Sequence, residues 1–152
     1  MQSNRIVLDT NCLLACLSSK SDNFRVWKDF QAGRFILCVS NDILEEYQEI
    51  IARKTTPTIA QNVIRAIVES DYVVFVDPHF RLGLITADHD DDKFVDCAFA
   101  ANATYIVSDD SHFDVLKETT FPQILVLKLK AFIDLLIKQN NGLSPSVREG
   151  IT

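Results

Sequence analysis

Arg5-Ile6-Val7-Leu8-Asp9 and Tyr105-Ile106-Val107-Ser108-Asp109-Asp110 decide the fold. Each is a short apolar run that closes on acid, and each is followed by a helical pattern. Outward from the first, Thr10–Leu17 reads as a helix. Phe24, Trp27 and Phe30 then recur at helical spacing in a second helix over 22–32, stopped by Gly33. Arg34–Val39 is aromatic and β-branched, hence a strand. Ser40-Asn41-Asp42 is a capping cluster for a helix to Lys54 that carries Ile43, Leu44, Tyr47, Ile50 and Ile51 on its apolar face. Pro57 suits the first turn of another helix, with Ile59, Val63, Ile64, Ile67 and Val68 expected to be buried, and Tyr72–Val76 is the third strand. Residues 77–90 read as a polar loop.

Outward from the second run, a helix over 91–102 precedes it, carrying Phe94, Val95, Ala98, Phe99 and Ala101. A short helix over 111–118, the strand Ile124–Leu127 and an amphipathic helix over 130–140 follow it. Strands separated by helices make right-handed βαβ crossovers, so the expected class is α/β with a mainly parallel central sheet of about five strands, covered on both faces. Residues 1–141 read as one domain. From Gly142 on there is no apolar period, and 142–152 reads as a flexible tail.

Composition narrows the function. The 152 residues are 47% apolar, which suits one globular domain with a sizeable core. No apolar run approaches the roughly 18–20 residues that span a bilayer. Met1-Gln2-Ser3-Asn4 leads straight into a strand without signal-peptide anatomy, so a cytoplasmic location is expected, with no membrane partner. Cys12, Cys16, Cys38 and Cys97 lie among apolar neighbours without zinc-ligand spacing and read as reduced core thiols. The net charge of −6 argues against a broad basic nucleic-acid face. It leaves room for an enzyme that holds phosphates through metal ions.

The distribution of that charge is more telling. Asp88, Asp90, Asp91, Asp92 and Asp96 put five of the 21 carboxylates within nine residues, and Asp109-Asp110 follow. In parallel sheets sites form beyond the carboxyl ends of strands, where Asp9 and Asp110 stand. Glu46 lies early in the helix after the second strand. Asp92 and Asp96, spaced i, i+4, share a face of the helix before the fourth. Two carboxylates at about 4 Å repel by about 4 kcal/mol at an effective dielectric near 20. A hard divalent cation such as Mg²⁺ or Mn²⁺ removes that cost, and it supports phosphodiester hydrolysis by acidifying water and neutralising charge on phosphorus.

Each acid also has a plainer reading: Asp9 as a helix cap, Glu46 as a solvated helix residue, Asp88–Asp91 as a loop favouring the helix dipole, Asp96 as a flank of the core. Their joint placement at one sheet edge favours a site. His79, His89 and His112 read as solvated loop residues, although His89 and His112 lie near the expected cleft. No nucleophile elbow or glycine-rich phosphate loop occurs.

These residues resemble the PIN-domain nucleases. Ile6-Val7-Leu8-Asp9-Thr10-Asn11 is similar to that family's opening signature. Ala32-Gly33-Arg34-Phe35, Val39-Ser40 and Leu44-Glu45-Glu46-Tyr47 resemble its second strand and glutamate-bearing helix. Asp91-Asp92-Lys93-Phe94, Ala98 to Ala103 and residues 105–110 resemble its last block, so the likeness runs from about residue 5 to 136. The resemblance implies a three-layer α/β/α sandwich and Mg²⁺- or Mn²⁺-dependent endoribonuclease activity. Within the family it points to the toxins of bacterial toxin–antitoxin pairs, with RNA as substrate, an antitoxin protein as partner and a homodimer as assembly. Residue by residue, it implies Asp9, Asp92 and Asp110 as metal ligands, with Asp96 the alternative to Asp92. Glu46, which directly precedes the large Tyr47, would orient or activate water, and Thr10, Asn11 and Ser108 would orient the carboxylates.

Two other classes compete. A non-catalytic module could present the acids to a basic protein partner. A phosphoacceptor receiver domain would need an acidic pair after the first strand, where only Asp9 stands, although Lys128 does follow the fifth. Leu13, Leu14, Leu17, Phe24 and Trp27 could serve a partner surface, but core packing is the simpler expectation for each.

Overall fold

A computed structural model describes residues 4–78, 81–85, 89–119 and 123–141, without the side chains of His89 and Asn141. The tail expected from residue 142 on, together with His79 and Asp88, lies outside the described residues. Five strands, β1 (Arg5–Leu8), β2 (Ile36–Val39), β3 (Val73–Phe75), β4 (Tyr105–Val107) and β5 (Val126–Leu127), form one parallel sheet in the order β3-β2-β1-β4-β5. Six α-helices connect and cover them: α1 (Thr10–Ala15), α2 (Phe24–Gln31), α3 (Asn41–Lys54), α4 (Pro57–Val68), α5 (Asp92–Ala101) and α6 (Leu129–Asn141). The chain winds outward from β1 to β3, then crosses back to lay β4 on the other side of β1. The winding reverses between β1 and β4, the place where an open parallel sheet leaves a crevice at its carboxyl edge.

The register explains the layers. Ile6 pairs with both Leu37 and Tyr105, and Leu8 with Val107, so these residues share one face while Val7, Cys38 and Ile106 take the other. Leu8 and Leu37 meet Val26, Phe30 and Phe35 on the first face. There Phe35, just before β2, stacks edge-on with Phe132 at 5.2 Å, joining the start of that strand to α6. On the second face α5 lies across β1, β2 and β4 with α3 and α4 alongside. The result is a three-layer α/β/α sandwich, as the strand–helix alternation led one to expect.

Local chemistry fixes the ends that matter. The Ser40 hydroxyl accepts from Ile43 N at 3.3 Å to cap α3, and Thr56 accepts from Ile59 N at 3.1 Å ahead of Pro57 to cap α4. α5 ends at Asn102, held in the left-handed region at φ 52°. The Arg5 guanidinium donates to Ala101 O at 2.9 Å, which pins the end of α5 to the start of β1. Ten helical residues rise about 15 Å and four strand residues about 13 Å, so the amino end of α5 arrives level with the carboxyl end of β1.

Some boundaries differ from expectation. α1 stops at Ala15, and Leu17 follows it half-buried. β5 is reduced to two residues, and Ser111–Glu118 is a 3₁₀ helix. Leu13 is buried, and Leu14, Leu17 and Trp27 pack on the core, which gives those apolar residues an internal role. Among the described residues no helix is long and apolar enough to cross a membrane.

Candidate metal centre

Asp9 ends β1 and is buried, 6% exposed. Its backbone N–H continues the ladder to Val107 O at 3.0 Å, which leaves its carboxylate at the switch point. Burial raises that carboxyl from 3.8 to about 6. The Ser108 hydroxyl and the Thr10 backbone oppose the rise, and the charges of Asp91 and Asp110 add to it. A buried acid beside two others is poorly satisfied without a cation.

Ser108 holds the arrangement together from the end of β4. It is fully buried, donates from Oγ to Asp9 Oδ2 at 2.8 Å and accepts the Asp110 N–H at 3.0 Å. Asp110 caps the following 3₁₀ turn, its Oδ1 accepting from His112 N at 2.9 Å. The His112 ring then reaches Asp91, with Nδ1 at 3.2 Å from Oδ2, and stands 3.5 Å from Asp110 Oδ1. One donor atom each from Asp91, Asp110 and His112 lies within 4.8 Å of the others. The neighbouring cavity, about 270 Å³, is lined by Asp9, Asn11, Cys12, Ala15, Asp109, Asp110 and Leu129. Three carboxylates and one imidazole suit a divalent cation of the Mg²⁺ or Mn²⁺ type.

Asp92 and Asp96 do share a helix face, but that face turns to the 81–85 segment. Asp92 Oδ1 accepts from Ile85 N at 2.7 Å, and Asp96 Oδ1 from Leu82 N at 3.0 Å. Arg81 stands 3.9 Å from the buried Asp96, whose carboxyl is raised by burial. It is Asp91 that the structure brings toward Asp9 and Asp110. The sequence carried a partial signal for this: in the buried stripe Ala101, Ala98, Val95, Phe94, stepping back three from Phe94 and four from Val95 both reach 91, whereas only the step of three from Val95 reaches 92. For His112 the sequence offered its place two residues after Asp110, but not its partner Asp91, 21 residues away.

Glu46 stands beside this group. Its Oε2 accepts from the Thr10 hydroxyl, and its Oε1 pairs with Lys93 Nζ at 2.7 Å. Tyr47, next to it, is fully buried and donates its hydroxyl to Leu8 O at 2.6 Å, which fixes α3 against the end of β1. Asp109 lines the same cavity and caps α6, its Oδ1 accepting from Leu129 N at 2.9 Å. The four cysteines are free and buried, and burial pushes Cys12 and Cys16 up to about 12, so they stay neutral thiols.

Comparison with known proteins shows the family and the fold. The PIN domain family profile matches residues 5–112. Among solved structures, the chain is similar to VapBC2 from Rickettsia felis, described bound to a DNA fragment from the promoter, with a TM-score of 0.56 at 15% identity over 82% of this chain and 98% of that one. It is also similar to Mycobacterium tuberculosis VapC20, a sarcin–ricin-loop-cleaving toxin (TM-score 0.52, 15% identity, 78% and 98% covered). A third likeness is to the PIN-domain endonuclease Utp24 (TM-score 0.50, 17% identity, 82% and 84% covered). A sequence search of curated proteins gives no match. The profile covers well over half of the residues, and the chain belongs to the PIN-domain family.

Proposed function

We propose that this PIN domain is an endoribonuclease dependent on Mg²⁺ or Mn²⁺ and the toxin of a toxin–antitoxin pair. The observation that carries the reading is the convergence of Asp9, Asp91 and Asp110 at the β1/β4 switch point, Asp9 and Asp110 tied through one buried hydroxyl and Asp91 brought to Asp110 beside His112. In this reading Asp91 takes the ligand role that spacing alone would give to Asp92 or Asp96, both of which hold loop backbone instead.

When bound, the cation neutralises charge on the scissile phosphate and acidifies a water. The chain's own residues do the rest. Asp9, Asp91 and Asp110 hold it, and Ser108 fixes the carboxylate plane of Asp9. Glu46, steadied by Thr10 and Lys93, orients the attacking water from the α3 side. Lys93 also offers a cation beside the acids, where a phosphate would need one. Asn11 is exposed at the cavity mouth and available to substrate.

The toxin assignment is supported by the structural likeness to VapC20, whose length is almost wholly covered. An antitoxin or a second copy of the chain would need apolar surface, and Ile59 and Val68 on α4, with Tyr72 and Phe75 at edge strand β3, are exposed. The test is to sequence the 5′ ends of RNAs cut by the pure protein, with Asp9→Asn as control. Discrete metal-dependent ends that vanish in the variant are expected. Identical ends from both proteins would refute the reading.

A further inference from the structure

We propose that His112 is a nitrogen ligand of the metal centre, and that it makes this chain select Mn²⁺ over Mg²⁺. The inference rests on the metal-dependent reading above. It extends beyond the carboxylates, since nothing in an acid-only site distinguishes these two hard ions strongly.

The ring is held where a ligand would have to be. Its own backbone N–H is tied to Asp110 Oδ1 at 2.9 Å. The next residue, Phe113, is fully buried and stacks edge-on with Phe94 of α5 at 6.3 Å. That contact docks the 3₁₀ turn on the helix that begins next to Asp91, so ring and carboxylate are positioned by the same packing. Nδ1 lies 3.2 Å from Asp91 Oδ2 and 3.5 Å from Asp110 Oδ1. An octahedral ion with bonds of about 2.1 Å places adjacent donors about 3.0 Å apart, so both separations are close to octahedral edges. The side chain is 39% exposed, so solvent reaches it.

The chemical consequence concerns selectivity. Mg²⁺ takes oxygen donors and gives up its waters reluctantly, whereas affinity for nitrogen donors rises along the transition series from Mn²⁺. One imidazole among three carboxylates therefore favours Mn²⁺. The competing role is an imidazolium that pairs with Asp91 and stands in the cation's place. The two roles predict opposite effects of removing the ring: a ligand's loss weakens metal binding, while a competing cation's loss tightens it.

The experiment is Mn²⁺ titration of the full chain by electron spin resonance and calorimetry, with parallel Mg²⁺ titration, on wild type, His112→Ala and His112→Gln. Spin-echo modulation from a directly bound imidazole nitrogen is expected in the wild type and absent in both variants. Mn²⁺ affinity should fall by roughly tenfold or more in the variants, with little change for Mg²⁺. Wild-type Mn²⁺ binding without nitrogen modulation, or binding unchanged or tightened in the variants, would overturn the histidine ligand and leave the carboxylate site standing. Absence of any divalent binding by the wild type would overturn both.

Discussion

Ser108 Oγ donates to Asp9 Oδ2 at 2.8 Å, joining the end of β4 to the end of β1 across 99 residues of sequence. The same oxygen accepts the Asp110 N–H at 3.0 Å, so one hydroxyl sets the spacing of two acids from adjacent strands. Ser108→Ala removes both contacts without changing charge or volume much. The expected result is a 10- to 100-fold loss of divalent-ion affinity, about what loss of an orienting partner costs, with the fold retained. Calorimetric titration with Mn²⁺ measures it, and unchanged affinity would show that Asp9 needs no such support.

Asp9 makes the metal-free protein sensitive to pH in a defined direction. Its carboxyl, near 3.8 in the unfolded chain, is raised to about 6 in the fold, chiefly by burial. Below about pH 4 it is protonated in both states and carries no penalty. As pH rises through 6 the unfolded chain binds fewer protons, and stability is lost, by about 3 kcal/mol at full ionisation. Asp9→Asn should therefore match the wild type in urea unfolding with chelator at pH 4 and exceed its stability at pH 7.5. A variant less stable than wild type at pH 7.5 would contradict the strain assigned to Asp9.

Asp91 and Asp92 are adjacent but should behave as different kinds of residue. Asp91→Asn should lower divalent-ion affinity and leave stability nearly unchanged. Asp92→Ala should free the Ile85 N–H and cost about 1–3 kcal/mol of stability, with faster proteolysis within 81–85 and metal affinity near wild type. Calorimetry and denaturant unfolding on the two variants separate the roles. Equal loss of metal affinity in both would reject the division.

Gly33 turns α2 into β2 at φ +78°, and a Cβ there would come within 2.6 Å of the Tyr72 ring. Gly33→Ala combines left-handed strain of about 1–2 kcal/mol with that clash. A loss of roughly 2–4 kcal/mol in urea unfolding is expected.

Much of this was legible because strand ends are legible. Apolar runs closed by Asp9 and by Asp109-Asp110 mark both the strands and the sheet edge where the acids gather. Choosing within the run Asp90-Asp91-Asp92 was harder, since one residue of shift rotates a helical side chain by about 100°. The apolar stripe of α5 favours Asp91, which both Phe94 and Val95 reach by one helical turn, but Val95 also reaches Asp92, and packing on β1 makes the choice. Contacts across the fold were beyond reach: His112 with Asp91, Lys93 with Glu46, and the turn of Asp109 toward α6 each depend on packing between distant segments. β5 is short: Val126 and Leu127 hold register with β4, and Leu125 reaches it only through its carbonyl, which accepts from Ile106 N at 2.9 Å.

The most direct test is the cleavage rate of a fluorescent single-stranded oligoribonucleotide as Mn²⁺ or Mg²⁺ is raised, for wild type, Asp9→Asn, Asp110→Asn and Asp92→Asn. Cutting by the wild type and Asp92→Asn is expected only when metal is added, with a loss of at least about 100-fold in Asp9→Asn and Asp110→Asn. Cleavage by Asp9→Asn at the wild-type rate, or wild-type cleavage undiminished by chelator, would contradict the metal-dependent reading.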